Sequence, residues 1–152
     1  MRERHLVVVG CQKEKLEKID KKIAKQILDF INGEGHNYTS VISIVRRPMA
    51  GDRNFQNSGE TISHTDVYLD YESDLVIEVP GYDVDTKNFR RDCHYDIIGI
   101  STSASVMCIS MSMYSAGFSI NVLSKYCEDR KGKKLEEYAF EIMKAYMPGC
   151  VK

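Results

Sequence analysis

The sequence predicts an α/β fold of three layers, α/β/α, with a mainly parallel sheet between two layers of helices. Two observations predict it. Five apolar runs of five or so residues are too short for helices and are apolar on both faces, as strands covered from two sides are. The stretches between them place apolar residues at helical spacing, and strands alternating with helices pair in parallel through right-handed crossovers. With 152 residues and 43% apolar content, the chain is expected to form one domain over residues 1–152 around a real hydrophobic core.

The elements follow in order. His5–Val9 reads as a fully buried strand. Leu16, Ile19, Ile23, Ile27 and Phe30 then recur at helical spacing, predicting a helix over Leu16–Ile31 that ends in the glycine turns of NGEGHN. Val41–Val45 is the second strand. The stretch RRPMAGDRNFQNSGETISHTDVY has no clean period, and about twenty structureless residues in a compact domain mark a functional or flexible loop. Leu75–Val79 is the third strand, stopped by Pro80-Gly81, and a short helix is expected over Thr86–Cys93. Asp96–Ile100 is the fourth strand and Ser103–Ser115 the helix after it. Gly117 breaks that helix, Ser119–Leu123 is the fifth strand, and Leu135–Tyr146 the last long helix, with a brief strand at Cys150-Val151.

Charge and cysteine content exclude several function classes. A formal charge of -1 and a sequence pI near 6.4 leave no bulk electrostatic attraction for nucleic acid. The apolar run in MRERHLVVVG is too short for a signal-peptide core or a membrane span, so the reading is cytoplasmic with no membrane partner. The five cysteines (Cys11, Cys93, Cys108, Cys127, Cys150) are scattered without a CxxC pair, signalling neither a disulfide framework nor a thiolate zinc site. VVVGCQKEK lacks the GxGxxG spacing, and no GxxxxGK occurs, which removes a Rossmann site and a P-loop.

In a parallel sheet the binding crevice lies beyond the carboxyl ends of the strands. That edge holds Gly10-Cys11-Gln12, Arg46-Arg47-Pro48, Glu78-Val79-Pro80, Ser101 to Ser105 and Ser124 to Cys127. In it, Gly99, Ile100, Ser101 and Thr102, then Val106 and Gly117, match a run G-(L/V)-A-T-x-x-C-V with a Gly twelve residues past the Cys, and no gap is needed. Val8, Val9 and Gln12 match a first-strand VVDxQ. On these residues the chain resembles the isochorismatase-like cysteine hydrolases, the superfamily that includes nicotinamidases. The resemblance implies an isochorismatase-like fold and a homo-oligomer. It also implies a Cys–Asp–Lys triad, whose positions fall on Ser105, Gly10 and Glu78. The metal-binding members carry an Asp-x-His pair and another His; the matching loop here offers only His64 and Asp66, so no metal and no cofactor are expected.

Those replacements are large chemical changes. Gly10 can accept no proton, Glu78 reverses the lysine charge, and a serine hydroxyl needs a base within hydrogen-bond reach before it attacks a carbonyl. The candidates for a rebuilt site are Ser105, Glu78 and Cys11, with His64 and Asp66 as a base and its orienter. Cys108, one helical turn past Ser105, is a further thiol, for which core packing is the commoner role. Ser101, Thr102, Ser103 and Ser105 stand at the start of the helix after the fourth strand, where at least one is expected to cap its free N–H groups, and those N–H groups can in addition bind an anion or a carbonyl oxygen. Gln12, Arg46 and Arg47 complete the candidate ligand-binding set. Glu128 and Asp129 either line the pocket or cap the turn before RKGKK.

The reading is therefore a diverged, non-catalytic isochorismatase-like protein that binds a small polar or anionic molecule or acts as an assembly subunit. The alternative is a hydrolase of a small amide or ester using a rebuilt site. A third reading, an interaction protein, predicts an apolar surface patch beside the methionine-rich helix of Met107, Met111 and Met113.

Overall fold

The computed structural model describes residues 2–47 and 68–152. Its strands are β1 (Arg4–Val9), β2 (Ser40–Arg46), β3 (Leu75–Val79), β4 (His94–Ile100) and β5 (Ser119–Glu128). They form one sheet of order β3-β2-β1-β4-β5, every neighbouring pair parallel. The helices are α1 (Lys13–Leu16), α2 (Lys21–Glu34), α3 (Met107–Ser115) and α4 (Lys133–Tyr146).

Alternation along the central strands splits the core into two layers. Leu6, Val8, Ile98 and Ile100 face one way and pack with Ile27 and Ile31 of α2. Val7, Val9, Ile42, Ile44, Tyr95 and Ile97 face the other way, against Ile109 and Met113 of α3 and Ala139 and Met143 of α4. Each fully buried aliphatic side chain contributes roughly 1.5–3 kcal/mol. This is the three-layer arrangement expected from the sequence.

Several boundaries differ from the expectation, some of them for a clear local reason. The first long helix starts at Lys21 because the Asp20 side chain caps it, accepting from the N–H groups of Lys22 and Ile23. Thr86–Cys93 shortens to a single 3-10 turn, Thr86–Asn88, because Phe89 turns into the core and the Arg90 N–H donates to the Tyr95 hydroxyl at 2.8 Å. The helix after β4 opens with a wider π turn over Thr102–Val106 before α3 begins. Strand β5 runs on to Glu128 through an irregularity: Ile97 pairs with Val122, but Gly99 pairs with Cys127. The extra residues on β5 break its two-residue period, which is why the pattern stops at Leu123 in the sequence. The terminal strand reduces to one bridge, Val122 to Val151.

The methionine-rich helix is core material. Met113 is fully buried and Met107 and Met111 pack on the same cluster. The exposed apolar stripe lies instead on α4, at Leu135, Tyr138, Ile142 and Tyr146. Within α3, Ser110 is fully buried and its hydroxyl has no hydrogen-bond partner. Replacing it with alanine removes a stranded polar group and improves helix propensity. Ser110→Ala is expected to raise stability by about 1 kcal/mol, read as a higher denaturation midpoint at an unchanged slope. A lower midpoint would mean that the hydroxyl is satisfied in solution.

Candidate functional site

The chain leaves β1 for β2 and β3 on one side of the sheet, then returns to β4 and β5 on the other. The switch point therefore lies between the carboxyl ends of β1 and β4, where the crevice of such a sheet opens. Two glycines shape it. Gly10 has φ +65°, and a Cβ there would sit 2.3 Å from the Ile100 carbonyl oxygen. Gly99 has φ +136°, and a Cβ there would sit 2.0 Å from the Val9 carbonyl oxygen. The two strand ends thus touch backbone to backbone, with no room for a side chain at either position. The Ile100–Ser101 peptide bond in this crossing is cis.

Beyond it, the serine-rich turn is tied down by the chain's own acids. The Ser103 N–H donates to Asp129 Oδ2 at 2.7 Å, and Thr102 Oγ1 donates to Glu136 Oε1 at 3.1 Å. Ser101 Oγ accepts from the Arg130 N–H at 3.2 Å. Asp129 and Glu136 are both buried. Asp129 Oδ1 also accepts from the Lys131 N–H at 2.9 Å, so this carboxylate caps the turn before RKGKK and the π turn together. Glu136 is held by Lys133 Nζ at 3.2 Å. Burial, with Glu136 as a secondary cause, pushes the Glu128 carboxyl upward. An anion arriving there would find the Ser103 N–H and the Thr102 hydroxyl already donating to carboxylates, with that negative charge beside it.

Ser105 is half-buried, and its hydroxyl has no hydrogen-bond partner among the described residues. No base reaches it there. Glu78, the other candidate, pairs with Arg47 instead: its Oε1 lies 3.1 Å from Arg47 Nη2, with both side chains roughly half exposed. Cys11 is fully buried in the α2-side core, its Sγ directed to the Val9 carbonyl at 3.5 Å. Burial raises its pKa far above neutrality, away from the thiolate a nucleophile requires. Cys108 is half-buried, and burial followed by Asp83 raises it too. His64 and Asp66 lie outside the described residues.

Gln12 is a buried polar side chain at the carboxyl edge of the sheet. It follows β1 directly and is buried, with Nε2 donating to the Arg46 carbonyl at 3.1 Å. Its Oε1 is buried without a hydrogen-bond partner. A stranded amide oxygen costs on the order of 1–3 kcal/mol unless something donates to it. Arg46, also buried, lays its guanidinium over the Tyr82 ring at 4.4 Å.

No family model and no curated protein sequence matches the chain. Solved structures do. A pyrazinamidase/nicotinamidase from Streptococcus mutans superposes with TM-score 0.77 at 13% identity, over 99% of this chain and 100% of that one. A pyrazinamidase of Pyrococcus horikoshii in complex with zinc gives 0.73 at 17% identity, over 99% and 97%. A MAR1 ribonuclease from Caenorhabditis elegans gives 0.71 at 14% identity, over 99% and 76%. The fold is isochorismatase-like. At these identities the likeness is one of fold, which agrees with the resemblance carried by Gly99 to Val106.

Within the isochorismatase-like fold, the acceptors that hold the serine-rich turn are Asp129, which takes the Ser103 N–H, and Glu136, which takes the Thr102 hydroxyl. Asp129 was legible as a crevice acid in CEDR. Glu136 was not, because a single glutamate three residues past Lys133 looks like any solvated helix charge. Among the described residues, no helix is long and apolar enough to cross a membrane.

Proposed function

We propose that this chain is a non-hydrolytic protein of isochorismatase-like fold that binds a small polar molecule in the crevice between β1 and β4. What supports the non-hydrolytic half most is the crossing at Gly10. The Ile100 oxygen fills the space in which a side chain carrying a general base would begin. Ser105, at the nucleophile's position by the resemblance, makes no hydrogen bond to a base among the described residues. What supports the ligand half is the buried Oε1 of Gln12, an acceptor that a donor-bearing ligand would satisfy. The Asp129, Glu128 and Glu136 carboxylates favour a neutral or donor-rich molecule over an anion. The exposed stripe of Leu135, Tyr138, Ile142 and Tyr146 supports association of copies through α4.

Nicotinamide and pyrazinamide, the amides to which the names of the structural neighbours point, are the first probes. The expected result is a saturable thermal shift with no ammonia release. Gln12→Leu is expected to weaken binding by about tenfold, the scale of one hydrogen bond to a buried group. Ammonia release abolished by Ser105→Ala would overturn the reading in favour of a rebuilt hydrolase site. Absence of binding across a wider panel of small amides and amines would remove the ligand half and leave assembly.

A further inference from the structure

At the opposite edge of the sheet, where β1 and β4 begin, three donors of different chemistry converge. They are Glu3, His5 and Cys93, whose ligating atoms all lie within 4.8 Å of one another. Among the described residues this is the one group of three carboxylate, imidazole or thiol donors close enough to share a metal ion. His5 Nε2 is 3.5 Å from Glu3 Oε2, and Cys93 Sγ is 3.8 Å from the same oxygen. Around a tetrahedral zinc ion, with bonds of about 2.3 Å to sulfur and about 2.0–2.2 Å to nitrogen and oxygen, donor atoms stand roughly 3.3–3.7 Å apart. Both distances to the Glu3 oxygen are already near that spacing.

The surroundings are those a metal ligand needs. His5 Nδ1 lies 2.6 Å from Ser40 Oγ. With Nδ1–H donated to that hydroxyl, Nε2 turns its lone pair toward Glu3 and Cys93, the orientation that a partner on the far ring nitrogen imposes on metal-bound histidines. The His5 ring is also stacked on Tyr95, at 5.4 Å between centroids, which fixes its plane. Cys93 and His5 are buried while Glu3 is exposed, so an ion has a way in from the Glu3 side. Arg90 bridges Glu3 at 3.1 Å and Asp92 at 2.8 Å, and can release Glu3 while keeping Asp92.

We infer that Glu3, His5 and Cys93 form a zinc-type divalent metal site that clips the start of β1 to the start of β4. The mixed sulfur, nitrogen and oxygen donor set suits a borderline-soft ion and argues against magnesium or calcium. On binding, the Cys93 thiol gives its proton to solvent and the thiolate takes its place on the metal. Three protein ligands leave the fourth position to water. The site stands at the amino end of the strands, away from the crevice, so its loss leaves crevice binding unchanged. The sequence pattern hides it, because Glu3 and Cys93 are 90 residues apart and no short motif joins them.

The test is titration of the full chain with cobalt(II) alone, followed by zinc. The expected result is one cobalt per chain with a thiolate-to-cobalt charge-transfer band that zinc abolishes. Cys93→Ser is expected to remove the band, and the exposed-site variant Glu3→Gln to weaken binding at least about tenfold while the band persists at saturation. Cys108→Ser and Cys150→Ser are expected to leave both unchanged. Absence of a band in the wild type, or a band that survives in Cys93→Ser, would overturn the assignment. So would unaltered affinity in Glu3→Gln.

Discussion

Gly10→Asp, which installs the carboxylate that the resemblance places at this position, is expected to lower stability by about 3 kcal/mol or more without producing hydrolysis. Two costs combine. A side chain in the left-handed region costs roughly 1–2 kcal/mol by itself. The second cost is larger in kind, because the new Cβ would overlap the Ile100 carbonyl oxygen at 2.3 Å. That oxygen belongs to backbone held in register by the β1–β4 ladder, so it cannot swing aside as the tip of a side chain can. Gly99→Ala meets the same crossing from the other strand, at 2.0 Å from the Val9 oxygen, and is expected to lose at least as much. Either loss is a large fraction of the roughly 5–15 kcal/mol that holds a domain together. Urea denaturation of Gly10→Ala, Gly10→Asp and Gly99→Ala measures it. A wild-type midpoint for Gly10→Asp would mean that the crossing relaxes readily, and the case against a base at this position would then fail.

These two glycines also show what the sequence could and could not disclose. The strands were legible because Leu6 to Val9 and Ile97 to Ile100 are apolar on both faces, a pattern that a sheet covered from two sides imposes directly. The run from Gly99 to Val106 was legible as a resemblance. That Gly99 lies against Val9 and Gly10 against Ile100 across neighbouring strands was not, because register is a three-dimensional fact. The same holds for Asp129, which the sequence left between lining the pocket and capping a turn. Its two oxygens cap two turns at once, one in its own segment and one 26 residues earlier in the chain. By its place after β1 Cys11 reads as a crevice thiol, but its side chain goes into the core beside Leu16 and Ile27. The Arg47–Glu78 pair follows from adjacent strand ends and could be read only once β2 and β3 were known to be neighbours.

Asp96→Asn is expected to cost about 2–3 kcal/mol at neutral pH, and the cost is expected to shrink in acid. The carboxylate is 2% exposed on the α2 side of β4. It accepts from Arg4 Nη2 and from the Tyr38 hydroxyl, each at 2.7 Å, and lies 3.0 Å from His94 Nε2. Burial pushes its pKa up, but the bonds from Tyr38, Arg4 and His94 outweigh that and hold it below the ordinary carboxylate range. Removing one member of a buried charged network costs about 3–5 kcal/mol. The Arg4 side chain is 57% exposed, so water recovers part of that and the expectation is set lower. The sign of the pH dependence follows from the lowered folded-state value. Between the two pKa values the unfolded chain binds the extra proton, so stability rises with pH. The contribution is complete above the unfolded value, near 3.9, and is lost as pH falls through the folded one. Once Asp96 is protonated in the folded protein it resembles asparagine, and the wild-type and variant stabilities must converge. Chemical denaturation of both proteins from neutral pH down through pH 3 reads this directly. A difference that stays constant over that range would assign the loss to packing around Tyr38 rather than to the charge.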